Sequence, residues 1–141
     1  MKIVVIAVGK MRDEGLRAAV DDYLSRLRKY VPTEERELKA DKDFATAIPA
    51  GAVTVALEVH GDTVTSSELA KRVAEWGRRG KGVIAFLIGG AEGIPEAVSK
   101  RADVRLSLSK LTLPHRLARV LLAEQLYRAM TILRGEPYAR E

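Results

Sequence analysis

Val83–Gly93 reads VIAFLIGGAEG. Val83–Ile88 is a continuous apolar run, the pattern of a central strand covered on both faces. Glycines follow at once. Gly89, Gly90 and Gly93 permit unusual backbone angles and let a ligand approach main-chain N–H and C=O groups. In an open α/β sheet, ligands bind beyond the carboxyl ends of the strands, so this loop is a candidate site. Two more loops leave such ends, Glu58–Asp62 and Leu108–Pro114. The glycine spacing is G-G-x-x-G rather than G-x-G-x-x-G, and only Gly9 follows the first strand. There is no G-x-x-x-x-G-K-[ST] stretch either. A dinucleotide-binding domain and a P-loop are therefore poorly supported.

Outward from this stretch, strands alternate with helices. Lys2–Val8 reads as a buried strand. Leu16, Ala19, Val20, Tyr23, Leu24 and Leu27 recur at helical spacing across Gly15–Tyr30, with Asp13 or Asp22 to start a helix and Pro32 to stop it. Glu34–Leu38 is a short exposed strand, and Asp43–Ile48 one helical turn. Ala52–Val59 is a strand, and His60-Gly61-Asp62 reads as the turn that ends it. Thr65 or Ser66 caps a helix running to about Arg79. Gly80 and Gly82 bracket a basic turn. A short helix near Pro95–Lys100 and a short strand over Val104–Leu106 complete the alternation. The pattern predicts an α/β fold, a mainly parallel sheet with helices on both faces, as one domain over residues 1–141. No repeat, low-complexity stretch or linker divides it.

Leu106–Leu133, LSLSKLTLPHRLARVLLAEQLYRAMTIL, opens as a loop of alternating hydroxyls and leucines. It then becomes a helix over Leu113–Arg134, with Thr112 placed to cap it, Pro114 in its first turn and Gly135 beyond its end. Leu113, Leu117, Val120, Leu121 and Tyr127 gather on one side. Ala118, Leu122, Leu126, Ala129 and Leu133 cover most of the other. A helix apolar nearly all round is buried on more than one side, so one side is expected at a subunit interface. Glu124 and Arg128 interrupt that pattern at i,i+4 spacing, as a helix ion pair or as a polar group held at an interface that also forms a site.

The chain has 141 residues, 47% hydrophobic and 30% charged, which suits a globular domain with a real core. No apolar run is long enough to span a membrane. Cysteine is absent, which excludes disulfides and thiolate metal sites and leaves the cytoplasm as the default expectation. Two histidines, His60 and His115, are too few for a histidine-rich metal site, and no metal is expected. The net charge of +5 is unevenly placed. Residues 1–70 hold 10 Lys and Arg against 12 Asp and Glu, and residues 71–141 hold 14 against 7. A basic half suggests a polyanion such as RNA, with Arg78, Arg79 and Lys81 as phosphate contacts or plain solvated surface.

Several motifs taken together are more specific. IGGAEG after VIAFL, LSLSKLTLPHRLARVLLAEQLYRA, and the terminal GEPYARE resemble the RlmH family, small ribosomal RNA methyltransferases of the SPOUT class. The likeness extends to KIVVIAVGK and VALEVHG, and so covers nearly the whole chain in order. It implies a homodimer with a C-terminal trefoil knot that binds S-adenosylmethionine. It also implies methylation of N3 of a pseudouridine in 23S ribosomal RNA on the assembled ribosome. By position it places Leu57 and Gly89 against the methionine-derived part of the cofactor. Leu108, Ser109, Lys110, Leu111, Thr112, Leu113 and Pro114 would wrap the adenine. The chain departs from the family at Ala139, where His is more usual, and at Glu58, where Asp is; the segment around Asp41–Pro49 is short.

Methyl transfer requires an in-line approach and release of the weakly acidic N3 proton. His115, beside the cofactor loop, is a candidate base or simply a helix-start histidine. Tyr138 and Arg140 sit on a tail beyond Gly135 and Pro137, where a ring and a guanidinium can stack on or clamp an RNA base. That tail carries no apolar periodicity and is expected to order over RNA. Trp76 and Tyr127 read as core or interface. The rival readings are a non-enzymatic RNA-binding module and a nucleotide- or flavin-binding domain built on GGAEG.

Overall fold

A computed structural model describes residues 1–140, and Glu141, the end of the tail, lies outside the described residues. Five strands form one sheet: β1 (Lys2–Val8), β2 (Thr33–Leu38), β3 (Val53–Thr63), β4 (Val83–Ile88) and β5 (Val104–Ser107). Their order is β2-β1-β4-β3-β5, and every neighbouring pair is parallel. The helices are α1 (Glu14–Arg28), α2 (Phe44–Ala47), α3 (Ser66–Trp76), α4 (Glu96–Arg101) and α5 (His115–Leu133), with 3-10 turns at Asp41–Asp43 and Pro137–Arg140.

Successive side chains of a strand point to opposite faces, so the central strands supply two cores. On one face, Ile3, Val5, Ala7, Val55, Ile84 and Phe86 pack with Leu24 and Leu27 of α1, Val73 of α3, and Leu122 and Leu126 of α5. On the other, Val4, Ile6, Ala85 and Leu87 pack with Phe44 of α2 and with Ile94 and Val98 around α4. The unbroken apolar run of β4 is thus explained, since it sits in mid-sheet with helices on both faces. Trp76 belongs to the core, edge-on to Phe86 at 6.2 Å between ring centroids.

Local signals set most boundaries. Asp13 caps α1, its side chain accepting from the Leu16 N–H at 2.9 Å. Thr65 and Glu68 form a reciprocal capping box on α3. That helix ends at Trp76, earlier than its expected end near Arg79. After α5, Gly135 takes φ +68° and its N–H bonds the Ile132 carbonyl, while the Glu136 N–H reaches back to Thr131. This is a Schellman stop.

Two expectations are corrected. Thr112 does not cap α5. Pro114 occupies that position in extended conformation, no side chain caps the helix, and the first helical residue is His115. Residues 108–113 are held instead as part of the preceding loop. His60-Gly61-Asp62 is not a turn: β3 runs on to Thr63. It pairs with β5 at Leu57–Leu106 and again at Asp62–Leu106, so residues 58–61 bulge between. Gly61 makes this crossing possible, because a Cβ there would lie 2.7 Å from the Arg105 and Leu106 backbones. A glycine inside a strand marks a bulge or close approach as readily as a turn.

Candidate functional site

The bulge of β3 and the loops leaving the neighbouring strands β4 and β5 converge at the carboxyl edge of the sheet. They enclose a cleft of about 580 Å3, inside the roughly 300–1,000 Å3 range of small-molecule sites. Its walls are residues 57–60, 88–94, 107–109 and 111–115, with Ala118 of α5. The β3 bulge is what carries Glu58, Val59 and His60 to this rim.

The lip over residues 107–114 is folded by its hydroxyls. Ser107 Oγ, buried, donates to the Ser109 carbonyl at 2.8 Å. Ser109 Oγ in turn accepts from the Leu111 N–H at 2.9 Å. Serine hydroxyls bonding backbone two residues away build turns of this kind. The alternation therefore has a division of labour: serines shape the loop, and Leu108, Leu111 and Leu113 remain to line the cleft. Leu111 is 76% exposed, a large apolar side chain at the mouth.

The glycine loop is equally tight. The Gly93 N–H bonds the Gly90 carbonyl at 3.0 Å, and Gly93 has φ +79°. A Cβ on Gly89 would lie 2.2 Å from the Gly93 carbonyl carbon. The space beside Gly89 is thus filled by the loop's own backbone, which corrects the idea that it is left for a ligand. Glu58, half-buried, accepts from Ser99 Oγ of α4 at 2.8 Å, tying the bulge to the opposite layer.

Of the expected site residues, Leu57, Gly89, Leu108, Ser109, Leu111, Thr112, Leu113, Pro114 and His115 border this one cleft. Lys110 does not, and is exposed. Tyr138 and Arg140 lie elsewhere. Tyr138 Oη donates to Glu124 Oε2 at 2.7 Å, and its ring meets Tyr127 at 4.6 Å and the Arg128 guanidinium at 5.1 Å. The tail is therefore not a segment without burial: Pro137–Arg140 forms a 3-10 turn docked on α5. Aromatic area supplies what apolar periodicity lacked, and all four tyrosines, Tyr23, Tyr30, Tyr127 and Tyr138, meet in this cluster. Burial, then the hydrogen bond to Glu124, raises the pKa of the Tyr138 hydroxyl above its ordinary value. The hydroxyl thus stays protonated near neutrality.

Glu124 and Arg128 do pair, at 2.9 Å, but as part of a larger polar group. Gln125 Nε2 donates to Glu124 Oε1 at 2.9 Å, while Tyr138 takes the other oxygen.

Sequence reasoning missed Arg119. Its side chain is 3% exposed and pairs with Glu35 and Glu37 of β2, and Nη1 donates to the Gly9 carbonyl at 3.0 Å. Arg17 of α1 closes the group by bonding the same two carboxylates. Burial alone would raise the Glu37 carboxyl, but hydrogen bonds from Arg119 and the Met11 N–H, with the charge of Arg17, hold it below its ordinary value. The signal was present. Arg119 stands three and four residues before Leu122 and Ala123, on the core stripe of α5, where a cation is anomalous.

A five-stranded parallel sheet with a glycine loop and a leucine lip enclosing a cleft at its carboxyl edge places the chain in the α/β ligand-binding class. Residues 1–139 match the family described as "Predicted SPOUT methyltransferase", and the chain belongs to that family. It is 56% identical over 145 residues to "Ribosomal RNA large subunit methyltransferase H" of Sorangium cellulosum (strain So ce56), covering 99% of both chains. It is 45% identical over 152 residues to the protein of that name from Anaeromyxobacter dehalogenans (strain 2CP-1 / ATCC BAA-258), covering 98% of this chain and 99% of the other. Among solved structures, a probable methylase family protein from Haemophilus influenzae Rd KW20 superposes with TM-score 0.64 at 13% identity, over 97% of this chain and 69% of that one. TrmJ from Z. mobilis ZM4 does so with TM-score 0.61 at 15% identity, over 91% and 70%. These likenesses show the fold. Among the described residues no cluster of His, Asp or Glu is arranged to hold a metal, and no helix is long and apolar enough to cross a membrane.

Proposed function

We propose that this chain is an S-adenosylmethionine-dependent methyltransferase acting on N3 of a pseudouridine in 23S ribosomal RNA, on the assembled ribosome in the cytoplasm. The observation that carries the reading is a single cleft in which nine expected cofactor and catalytic residues meet, in a chain matching large-subunit ribosomal RNA methyltransferases end to end. We read residues 1–141 as one catalytic domain, with the C-terminal trefoil knot that the family resemblance implies.

The residues fit the cofactor. Its adenine has two apolar faces, which Leu108, Leu111 and Leu113 match, and its polar edges can meet backbone groups of the hydroxyl-folded lip. Leu57 and the Gly89 loop, which line the same cleft, would hold the methionine-derived part. The bound cofactor supplies an electrophilic methyl group on a sulfonium sulfur. The protein's work is then chiefly positioning and exclusion of water. His115 borders the cleft and takes the role of accepting the N3 proton.

Tyr138 and Arg140 act on the RNA base. Tyr138 reaches Glu124 and Tyr127, which lie 9 and 12 residues along α5 from His115; at 1.5 Å per residue the nearer is about 14 Å away. The tail is therefore assigned to the cleft of a second copy in a homodimer. Support for that dimer comes from α5 itself, where Leu117 is 46% exposed beside half-buried Val120 and Leu121.

Calorimetric titration with S-adenosylmethionine, FMN and ATP separates the readings. Binding of the first alone, with methylation of pseudouridine in ribosomes mapped by mass spectrometry, supports the methyltransferase. Binding of FMN or ATP alone supports a nucleotide or flavin domain. RNA binding with none of the three supports a non-enzymatic module.

A further inference from the structure

The C-terminal half carries the excess positive charge, but the fold divides it between two ends of the sheet. Arg78, Arg79 and Lys81 lie in the turn before β4. The Lys2 N–H bonds the Gly82 carbonyl, and the Lys81 side chain runs against Gly51, just ahead of β3. This turn is at the amino edge of the sheet. The cleft is at the carboxyl edge, a strand length away, or about 20 Å for six residues at ~3.3 Å each. Arg79 is moreover paired with Glu75 at 2.8 Å. Of the two readings of these three cations, phosphate contacts or solvated surface, their distance from the cleft leaves solvated surface the simpler one.

A different set surrounds the cleft. Lys110 and Arg116 are exposed on either side of the lip residues 111–115. Lys10 and Arg12, also exposed, follow β1. The end of β1 abuts the cleft, because Val8 touches the position a Cβ on Gly90 would take, at 3.4 Å, and Gly9 is bonded by Arg119 next to Ala118. None of the four makes an ion pair among the described residues. The acidic groups nearby are Glu58 on the β3 bulge, held by Ser99, Glu92 on the glycine loop, Asp13, which caps α1, and Glu14.

We infer that Lys10, Arg12, Lys110 and Arg116 form the surface that holds the RNA backbone over the cleft. This rests on the methyltransferase reading and deepens it, by assigning phosphate contacts to four exposed cations drawn from both halves of the chain. Free cations ringing an apolar cleft suit a ligand whose reacting base enters while its flanking phosphates stay at the mouth. Phosphate contacts of this kind set position and carry salt dependence.

The test uses the full-length protein with purified ribosomes, or a 23S ribosomal RNA fragment, over a range of salt. The quadruple variant Lys10→Ala, Arg12→Ala, Lys110→Ala, Arg116→Ala should lose at least tenfold in RNA affinity at moderate salt. Each lost contact should flatten the slope of log K against log salt by about 0.7. Its S-adenosylmethionine affinity and melting temperature should match the unmodified protein, since alanine leaves the backbone of the lip in place. The variant Arg78→Ala, Arg79→Ala, Lys81→Ala should bind RNA within twofold of the unmodified protein. Unchanged RNA binding by the quadruple variant, or an equal loss from the triple variant, overturns the assignment. Should the quadruple variant fail to fold, the pairs Lys10→Ala with Arg12→Ala and Lys110→Ala with Arg116→Ala decide it separately. Absence of RNA binding by the unmodified protein would overturn the methyltransferase reading as well.

Discussion

Arg119, one turn into α5, is paired with Glu37 at the end of β2, although 82 residues separate them in the chain. The pair, with Glu35 and Arg17, fixes the start of α5 against β1 and β2. The neighbouring residue Ala118 borders the cleft, so a shift of this turn is a shift of the cleft wall. Removing one partner of a buried pair typically costs about 3–5 kcal/mol, because the other charge is left uncompensated. Here Glu37 retains Arg17 and some solvent. We expect Arg119→Met to destabilise the chain by about 2–3 kcal/mol in urea unfolding. S-adenosylmethionine affinity should weaken in the fraction that remains folded. Arg119→Lys should fall between, since an ammonium cannot bridge two carboxylates and a carbonyl in the same fork geometry. Unaltered stability in Arg119→Met would show that the pair contributes nothing net.

The same group sets a pH dependence. The Glu37 carboxyl titrates below its ordinary 4.5 in the folded chain. As pH falls, the unfolded chain takes up that proton first. The stabilisation is therefore complete above the unfolded value and is lost as pH drops through the lower, folded one. Unfolding free energy should decline below about pH 5. Glu37→Gln should be less stable at pH 7 and show a shallower acid slope. Parallel acid slopes in the two proteins would exclude Glu37 as the source.

Gly89 should tolerate no side chain, because a Cβ would sit 2.2–2.4 Å from the Gly93 carbonyl group. Even Gly89→Ala must open the glycine turn. We expect it to retain the sheet by circular dichroism while losing S-adenosylmethionine binding at least tenfold. Gly89→Val should do so more severely and lose stability too. Wild-type affinity in folded Gly89→Ala would remove this loop from the cofactor site.

The tail offers a separation of roles. Arg140 is exposed and outside the cleft of its own chain. Arg140→Ala should reduce methylation strongly, with cofactor affinity and melting temperature near wild type. Glu124→Leu removes the acceptor of the Tyr138 hydroxyl and should lower methylation by displacing the tail. Glu124→Gln, which can still accept, should restore part of it. A chain truncated before Tyr138 that methylates ribosomes at the normal rate would leave the tail without a catalytic role. Loss of cofactor binding on truncation would place the tail in the cofactor pocket instead.

The dimer is open to a direct check. Leu117→Glu places a charge on the uncovered face of α5 without entering the core of its own chain. Sedimentation should show this variant as a folded monomer at micromolar concentration where the unmodified chain is a dimer. A monomeric unmodified chain would remove both the interface and the assignment of the tail to a second copy.

What the sequence by itself determined was local. Strand and helix alternation, the apolar run of β4, the Asp13 and Thr65 caps and the Gly135 stop all depend on residues within four positions of one another. So did two of the three loops expected at the carboxyl edge, Gly89–Gly93 and Leu108–Pro114, since loop position follows from strand direction once the sheet is parallel. The resemblance carried the cofactor residues, and eight of them share one cleft with His115. Tertiary structure decided whatever joins distant residues. His60-Gly61-Asp62 has the composition of a turn, and only the register of β5 makes it a bulge. Tyr30 meets Glu136 across 106 residues, and Arg119 meets Glu35 across 84. Lys10 and Arg12 come to the same edge of the sheet as Lys110 and Arg116, while Arg78 and Lys81 lie at the far end. Charge, unlike hydrophobicity, has no period along a chain that reveals its partner. Its meaning depends on burial and on which opposite charge the packing brings near, and both are set only once the sheet order is in place.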